Sequence, residues 1–134
     1  MRTTTPKPSA IPRPTDGELA ILRVLWERGP GTVREIQEGL AGSREVGYTT
    51  VLKLLQIMTE KGLVRRNETE RAHVYAARAP REQTERQLVG DLLDRAFAGS
   101  ASTLVMRALS SKKASSEELA RIRKFLDELE GGRQ

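Results

Sequence analysis

Apolar residues recur at helical spacing through most of the chain, which predicts a mostly α-helical protein. Two threonines, Thr15 and Thr32, each stand directly before such a stretch. A glutamate follows each threonine three residues later, which is the capping-box pattern of a helix N-terminus. We therefore expect a first helix from Thr15 to the Gly29-Pro30 pair and a second from Thr32 to near Gly42.

The third predicted helix lies between Gly47 and Gly62 and has two contrasting faces. Its apolar stripe consists of Val51, Leu54, Leu55 and Met58, at spacings i, i+3, i+4 and i+7. Another face carries Thr49, Lys53, Gln56 and Glu60. Because a helix needs only one face to join a core, the second face is free to reach base edges and phosphates in a major groove.

Two short strands follow this helix. They are predicted at Leu63–Asn67 and Ala72–Ala77, with a polar turn between them of hairpin length. A helix followed by such a hairpin is the outline of a recognition helix and its β-wing. Between Arg44 and Arg78 there are seven basic and four acidic side chains, a local excess of positive charge that favours nucleic-acid binding.

The residues expected to contact DNA fall into two groups. We predict that Thr49, Thr50 and Lys53 contact base edges, since a threonine offers a hydroxyl or a methyl group and a lysine can donate to guanine. A single exposed arginine is often only a solvated charge. The prediction of contacts to the DNA backbone therefore rests on the clustering of several basic residues. The predicted backbone contacts are Arg44, Tyr48, Arg65, Arg66 and Arg71.

Pro80 begins a second region of three predicted helices, over residues 81–98, residues 102–109 and the stretch after Ser115-Ser116. These helices are short, and their apolar stripes cannot all be buried within one copy. A homodimer would let each stripe meet its twin across a twofold axis, whereas the alternative is that the helices fold back on the N-terminal domain. The residues predicted at the dimer interface are Leu88, Leu92, Phe97, Leu104, Leu119, Ile122 and Leu126.

The expected organisation is a winged helix-turn-helix DNA-binding domain at residues 15–79 and a helical dimerisation region at residues 80–130, mostly α with a small β-wing. Residues 1–14 hold four of the six prolines and three positive charges, and are predicted to be a disordered basic arm. Residues 131–134 are predicted to be a disordered tail.

Composition excludes several classes of site. The chain has no cysteine and one histidine, so it has no disulfide, no cysteine-zinc site and no histidine-rich metal site. No stretch reaches the roughly 18 apolar residues of a membrane span, and the N-terminal residues lack the apolar run of a signal peptide, so we expect a cytoplasmic protein. The acidic residues of the helix at 81–98 have no catalytic partner, so we expect no enzyme, cofactor, metal or small-molecule ligand.

Several segments resemble the BlaI/MecI/CopY family of winged-helix repressors, over about residues 15–130. The resemblance implies a homodimer that binds a palindromic operator in double-stranded DNA and blocks transcription. It is carried by Glu18-Leu19-Ala20-Ile21-Leu22 through Leu25-Trp26, Thr32-Val33-Arg34-Glu35-Ile36, Tyr48-Thr49-Thr50-Val51, Leu55-Gln56, Lys61-Gly62-Leu63-Val64 and Arg71-Ala72-His73-Val74-Tyr75.

The chain departs from the family pattern at several points. Ile57 stands where many members have an arginine late in the recognition helix. In the penicillinase and methicillin-resistance repressors, a membrane-bound sensor protease triggers cleavage at an Asn-Phe bond. The matching bond here is Arg107–Ala108, so the resemblance implies release by proteolysis but at a different residue pair. The cysteine cluster of the copper-responsive members is absent, which argues against copper sensing.

Two other functions remain open on the sequence alone. Winged helices also serve as protein-docking modules without base readout, and such a module would lack steeply salt-dependent DNA binding. The other alternative is a ligand-sensing repressor of the MarR type. Against it, the C-terminal helices are too short and too few to enclose a pocket, and no dimerisation helix precedes the first helix.

Overall fold

The computed structural model describes residues 12–43, 45–69 and 71–132. Arg44, a predicted backbone contact, and residues 1–11 of the predicted arm lie outside these ranges. The elements are α1 (Asp16–Arg28), α2 (Val33–Leu40), α3 (Tyr48–Lys61), β1 (Val64–Asn67), β2 (Val74–Ala77), α4 (Arg81–Ala96), α5 (Ala101–Ser111) and α6 (Ser116–Gly131).

The division of the chain differs in detail from the predicted domain bounds. It separates after Gly90, within α4, into two compact units rather than at Pro80. Pro14 is buried and Gly131 is the last residue of α6, so ordered structure extends into both segments that were predicted to be disordered.

Helices α1 and α2 begin at the predicted capping boxes. The Thr15 hydroxyl accepts a hydrogen bond from the Glu18 amide at 3.3 Å, and Glu18 Oε1 accepts one from the Thr15 amide at 2.9 Å. Thr32 and Glu35 repeat this exchange. Four backbone donors thus find partners at the two helix starts.

One hydrophobic core joins the first three helices to the wing. The predicted stripe of α3 is confirmed, because Val51, Leu55 and Met58 are fully buried and Leu54 packs partly against them. The other buried apolar residues are Ile21, Leu22, Val24, Leu25, Val33, Ile36, Leu40, Leu63, Val64 and Tyr75.

The wing is shorter than predicted but has an additional partner. β1 and β2 pair antiparallel, with Val64 opposite Ala77 and Asn67 opposite Val74, so both strands begin later than the predicted bounds. On the other edge of β2, the Gly31 amide donates to the Tyr75 carbonyl at 3.0 Å and the Tyr75 amide donates back at 2.8 Å. The connection between α1 and α2 therefore borders the wing.

An ion pair between a buried glutamate and a half-buried lysine joins the start of α1 to the end of α3. Glu18, at the start of α1, is 2% exposed, and its two carboxylate oxygens each accept from Lys61 Nζ at 2.9 Å. Burial by itself raises the pKa of Glu18, but the hydrogen bonds and charge of Lys61, together with those from Thr15, lower its pKa overall. The capping glutamate thus also fixes the end of α3 against α1.

The start of α4 is anchored on the first unit. The Trp26 indole Nε1 donates to the Ala79 carbonyl at 2.9 Å, and the Arg81 guanidinium lies 5.7 Å from the centre of the Trp26 ring. Thr84, one turn further along, is buried. These contacts hold the start of α4 against α1 within the first unit.

Helices α5 and α6 have no buried residue. The preceding helix α4 ends at Ala96, two residues before the predicted end, because Ala98 and Gly99 adopt positive φ angles that break helical geometry. Of the predicted interface residues, Leu92 and Leu126 are exposed at 46% and 53%, and the others are half-buried.

Candidate nucleic-acid interface

The outer face of α3 consists of exposed polar side chains. Thr49, Lys53, Gln56 and Glu60 are all exposed and lie opposite the buried stripe of the same helix. Thr50, the third predicted base contact, is exposed on the flank of this face. The three predicted base-contact residues are therefore brought together near the first two turns of one helix.

The N-terminus of α3 differs from those of α1, α2 and α6. Its N-cap is Gly47, no side chain accepts from its first amides, and its first turn has no acidic residue. The other three helices have a capping box with an acidic residue in the first turn. An N-terminus without these groups keeps its amides and the positive end of its dipole available to an external phosphate.

The two adjacent arginines of the wing are in different environments. Arg65 is exposed, whereas Arg66 Nε donates to Glu68 Oε2 at 2.7 Å. The hydrogen bond that Arg66 donates to Glu68, with a smaller contribution from the Tyr75 hydroxyl, raises the pKa of Arg66 above its ordinary value. Arg65 is therefore available to a phosphate, while Arg66 already has a carboxylate partner.

An open cleft separates the first turn of α2 from the wing. Arg34 lies over the ring of Tyr48, with 5.5 Å between the guanidinium carbon and the ring centre. Arg71, a predicted backbone contact, lines the cleft from the wing side, together with His73. The cleft is lined by Thr32, Val33, Arg34, Tyr48, Leu52, Arg71, Ala72, His73 and Tyr75.

Arg34 was absent from the predicted contact residues. Its position two residues after the N-cap Thr32 indicates an exposed side chain, which was the signal available in the sequence. Its neighbour Tyr48 is fourteen residues away on another helix, so their meeting depends on how α2 packs against α3.

The predicted cleavage bond belongs to the second compact unit. Arg107 and Ala108 are both exposed, in the middle of α5. Over the described ranges, no group of three or more His, Cys, Asp or Glu residues could hold a metal ion. In the same ranges, no helix is long and apolar enough to cross a membrane.

Comparison with known proteins decides the family. The family model described as "Penicillinase repressor" matches residues 14–128. The chain belongs to the penicillinase repressor family. This family member is 34% identical to the transcriptional regulator BlaI of Mycobacterium tuberculosis over 119 residues, which is 87% of this chain and 85% of that protein. It is 22% identical to the penicillinase repressor of Bacillus licheniformis, over 88% of this chain and 92% of that protein.

A solved structure supports the same fold. The complex structure of hsRosR-S4 resembles this penicillinase repressor family member with a TM-score of 0.51 and 21% identity. The match covers 90% of this chain and 92% of the other. At this level of identity the likeness concerns the fold alone.

Membership confirms the predicted family and the winged-helix fold, and makes this penicillinase repressor family member a DNA-binding transcriptional repressor and not an enzyme. It thereby favours DNA binding over the docking module. It also favours this family over the MarR-type alternative.

Proposed function

We propose that this protein acts as a homodimer on a palindromic operator, with α3 of each copy in the major groove of one half-site. The observation that carries the proposal is the exposed polar face of α3, which lies opposite a fully buried stripe and begins at a helix N-terminus without capping side chains. Such a helix can enter a groove without disturbing the core that holds it.

Base readout is assigned to the first two turns of α3. Thr49 and Thr50 offer a hydroxyl to hydrogen-bonding base edges or a methyl to the thymine C5 methyl, and Lys53 donates to guanine O6 or N7. All three side chains are exposed, and they precede the more apolar Ile57 on the same side of the helix.

Backbone contacts are assigned to the arginines around α3 and to Tyr48. Arg65 and Arg71 are exposed on the wing, and Arg44 precedes α3 in the sequence. Arg66 is the weakest of the predicted contacts, because a phosphate would have to displace Glu68 from its guanidinium. These contacts position the protein and make binding depend steeply on salt.

Dimerisation is assigned to α4, α5 and α6. Exposed apolar side chains occur on all three helices, including Leu92, Val105, Met106, Phe125 and Leu126. Exposed apolar surface on short helices favours binding to a protein partner. A second copy is such a partner, because in a twofold dimer the same surface of both copies forms the interface. A twofold protein would in turn match a twofold operator.

Release from DNA is assigned to proteolysis by a membrane-bound sensor protease, at or near Arg107–Ala108. The family resemblance motivates this step. A protease needs an extended substrate, so α5 must unwind locally, and within one copy this disturbs no core because α5 buries no residue there. Mass spectrometry after incubation with the protease should show a new terminus near Ala108. An intact chain with DNA binding nonetheless lost would contradict cleavage.

The proposal as a whole is tested by a gel-shift titration on the DNA upstream of the protein's own gene. The titration is run at two salt concentrations, with scrambled DNA of equal length as the control. We expect preference for the upstream DNA and a steep fall of affinity with salt, with a slope of about −0.9 per phosphate contacted. Absence of binding to both DNAs at low salt would contradict the proposal.

A further inference from the structure

We propose that Arg34 is an additional DNA-phosphate contact and that the ring of Tyr48 is its positioning residue, so that one phosphate is bound in the cleft between α2 and the wing. This inference rests on the proposed function. It assigns a DNA contact to α2, a helix to which no contact was assigned above. It also assigns the positioning of Arg34 to the aromatic ring of Tyr48.

The first observation is the stacking of Arg34 on Tyr48. The guanidinium carbon lies 5.5 Å from the ring centre, within the range of a cation–π contact, and both side chains are exposed. A free arginine loses much rotamer entropy when it binds. A guanidinium that already rests on a ring has lost part of that freedom before the ligand arrives.

The second observation is the arrangement of charge around the cleft. Arg34 lines it from α2 and Arg71 from the wing. Among the described residues, neither arginine is in an ion pair, in contrast to Arg66, which is held by Glu68. The lining residues that the structure describes include no Asp or Glu, and two cations in such an open cleft favour an anionic occupant.

The third observation identifies the occupant. Tyr48 is the first residue of α3, and Thr49 and Lys53 on the same helix are the proposed base contacts. When α3 enters a major groove, the surfaces next to its first turn meet the sugar-phosphate wall of that groove. The planar guanidinium of Arg34 can bind the two free oxygens of a phosphate together, which a lysine cannot do in the same geometry.

The experiment measures affinity against salt for a short duplex containing the upstream DNA and for a scrambled duplex. For Arg34→Gln we expect a slope shallower by about 0.9 per protomer and an affinity about tenfold lower per protomer, equally on both duplexes. Arg34→Lys should keep the slope but lose part of the affinity. The matched control is Arg23→Gln, which removes an exposed arginine from the outer face of α1, on the other side of the core.

Tyr48 separates positioning from direct contact. If its ring positions Arg34, Tyr48→Leu should approach the affinity of Arg34→Gln, and Tyr48→Phe, which keeps the ring, should bind more tightly than Tyr48→Leu. Adding Arg34→Gln to Tyr48→Leu should then cause little further loss. Melting curves of every variant establish that the winged-helix unit is folded.

Specific outcomes would overturn the inference. A folded Arg34→Gln variant with the parent's salt slope would remove Arg34 from the interface. Equal losses for Tyr48→Phe and Tyr48→Leu would show that the hydroxyl, and not the ring, is what matters. If the parent protein bound neither duplex, the proposed function would fail and this inference with it, whereas normal parent binding with an unaltered Arg34 variant overturns this inference alone.

Discussion

The two units of this chain place their apolar residues in opposite environments. In the first, α1, α2, α3 and the wing enclose a core in which Ile21, Val51, Leu55 and Met58 have no exposed surface. In the second, α5 and α6 bury no residue, and Met106 and Phe125 are 65% and 58% exposed. Burial of apolar surface is the main favourable contribution to folding. The first unit therefore has its own source of stability, and for the second we propose that a second copy supplies it.

This contrast bears on how a repressor can be switched. We assign the DNA contacts to the self-contained unit, and we assign to the other unit the pairing that would let two copies bind two half-sites together. Because α5 contributes no buried residue, cutting it should impair pairing while the winged-helix core remains folded. Repression could thus be lost without unfolding the DNA-binding domain.

The largest expected effect is loss of the dimer. Changing both Ile122 and Leu126 to Glu should destabilise the dimer by on the order of 5 kcal/mol. Each copy then places two charges in an apolar interface, and the twofold symmetry doubles that number. Analytical ultracentrifugation should show a monomer whose winged-helix unit melts as in the parent. Lys124→Glu, on the opposite face of α6, is the control and should remain dimeric. A dimer that persists in the double variant would contradict the assignment of α6 to the interface.

A core substitution in the first unit should have the next largest effect. Leu55 is fully buried, so Leu55→Ala should lower the free energy of unfolding by about 2–5 kcal/mol through lost transfer energy and a cavity. Leu54→Ala, at a partly buried position of the same helix, is the matched comparison and should cost less. Chemical denaturation followed by circular dichroism measures both, and equal losses would show that the core is not centred on Leu55.

Lys53→Ala tests whether the self-contained unit reads bases. We expect a loss of about 1–3 kcal/mol in binding free energy on the operator and a smaller loss on scrambled DNA, because only the operator offers the base that Lys53 recognises. Gln56→Ala, one turn further along the same exposed face, is the comparison. Identical losses on both DNAs would reassign Lys53 to the phosphate backbone.

The Glu18–Lys61 ion pair should make the first unit sensitive to acid. Glu18→Gln should lower stability at neutral pH by about 1–3 kcal/mol, an amount limited by the partial exposure of Lys61. Because the folded pKa of Glu18 is lowered, its stabilisation is complete above its ordinary value of 4.5. That stabilisation is lost as the pH falls through the folded pKa.

Parent and Glu18→Gln should therefore converge in unfolding free energy as the solution is acidified below pH 4.5. Denaturation curves at several pH values measure the difference. A difference that stayed constant down to pH 2 would show that the charge of Glu18 contributes nothing.

The smallest effects come from two helical glycines of the first unit, one packed against Val24 and one with open space around it. A Cβ at Gly39 would lie 2.6 Å from Val24 Cγ1, and the stiff valine cannot easily move away, so Gly39→Ala should destabilise by about 1 kcal/mol despite its better helix propensity. At Gly90 a Cβ would meet no atom within 4 Å, so Gly90→Ala should stabilise by about 1 kcal/mol. Melting temperatures should thus shift in opposite directions, and a shift in the same direction would contradict the difference in packing.

The features that could be predicted from the sequence are those set by neighbouring residues. The capping boxes at Thr15 and Thr32 and the stripe of α3 involve residues at most seven positions apart, so they are legible from spacing alone. The positions of Thr49, Thr50 and Lys53 on the outer face of α3 follow from that stripe. Their roles in base readout, like those of Arg65 and Arg71 on the backbone, stay predictions.

Pairings between distant residues were not predictable in the same way. Glu18 was interpreted as a capping residue, but it also binds Lys61, 43 positions away. Gly31, next to a proline, has no strand pattern, yet it pairs with Tyr75 at the edge of the wing.

The sequence by itself determined the helices, their caps and the outer face of α3, because each depends on the fixed repeat of a helix and on neighbours within about two turns. Tertiary structure decided which charges are already partnered and which are left for a ligand. It bound Glu18 to Lys61, and it placed Arg34 on Tyr48 beside Arg71. The physical reason is that an ion pair or a stacked ring depends on distance in space, which packing sets and sequence separation does not.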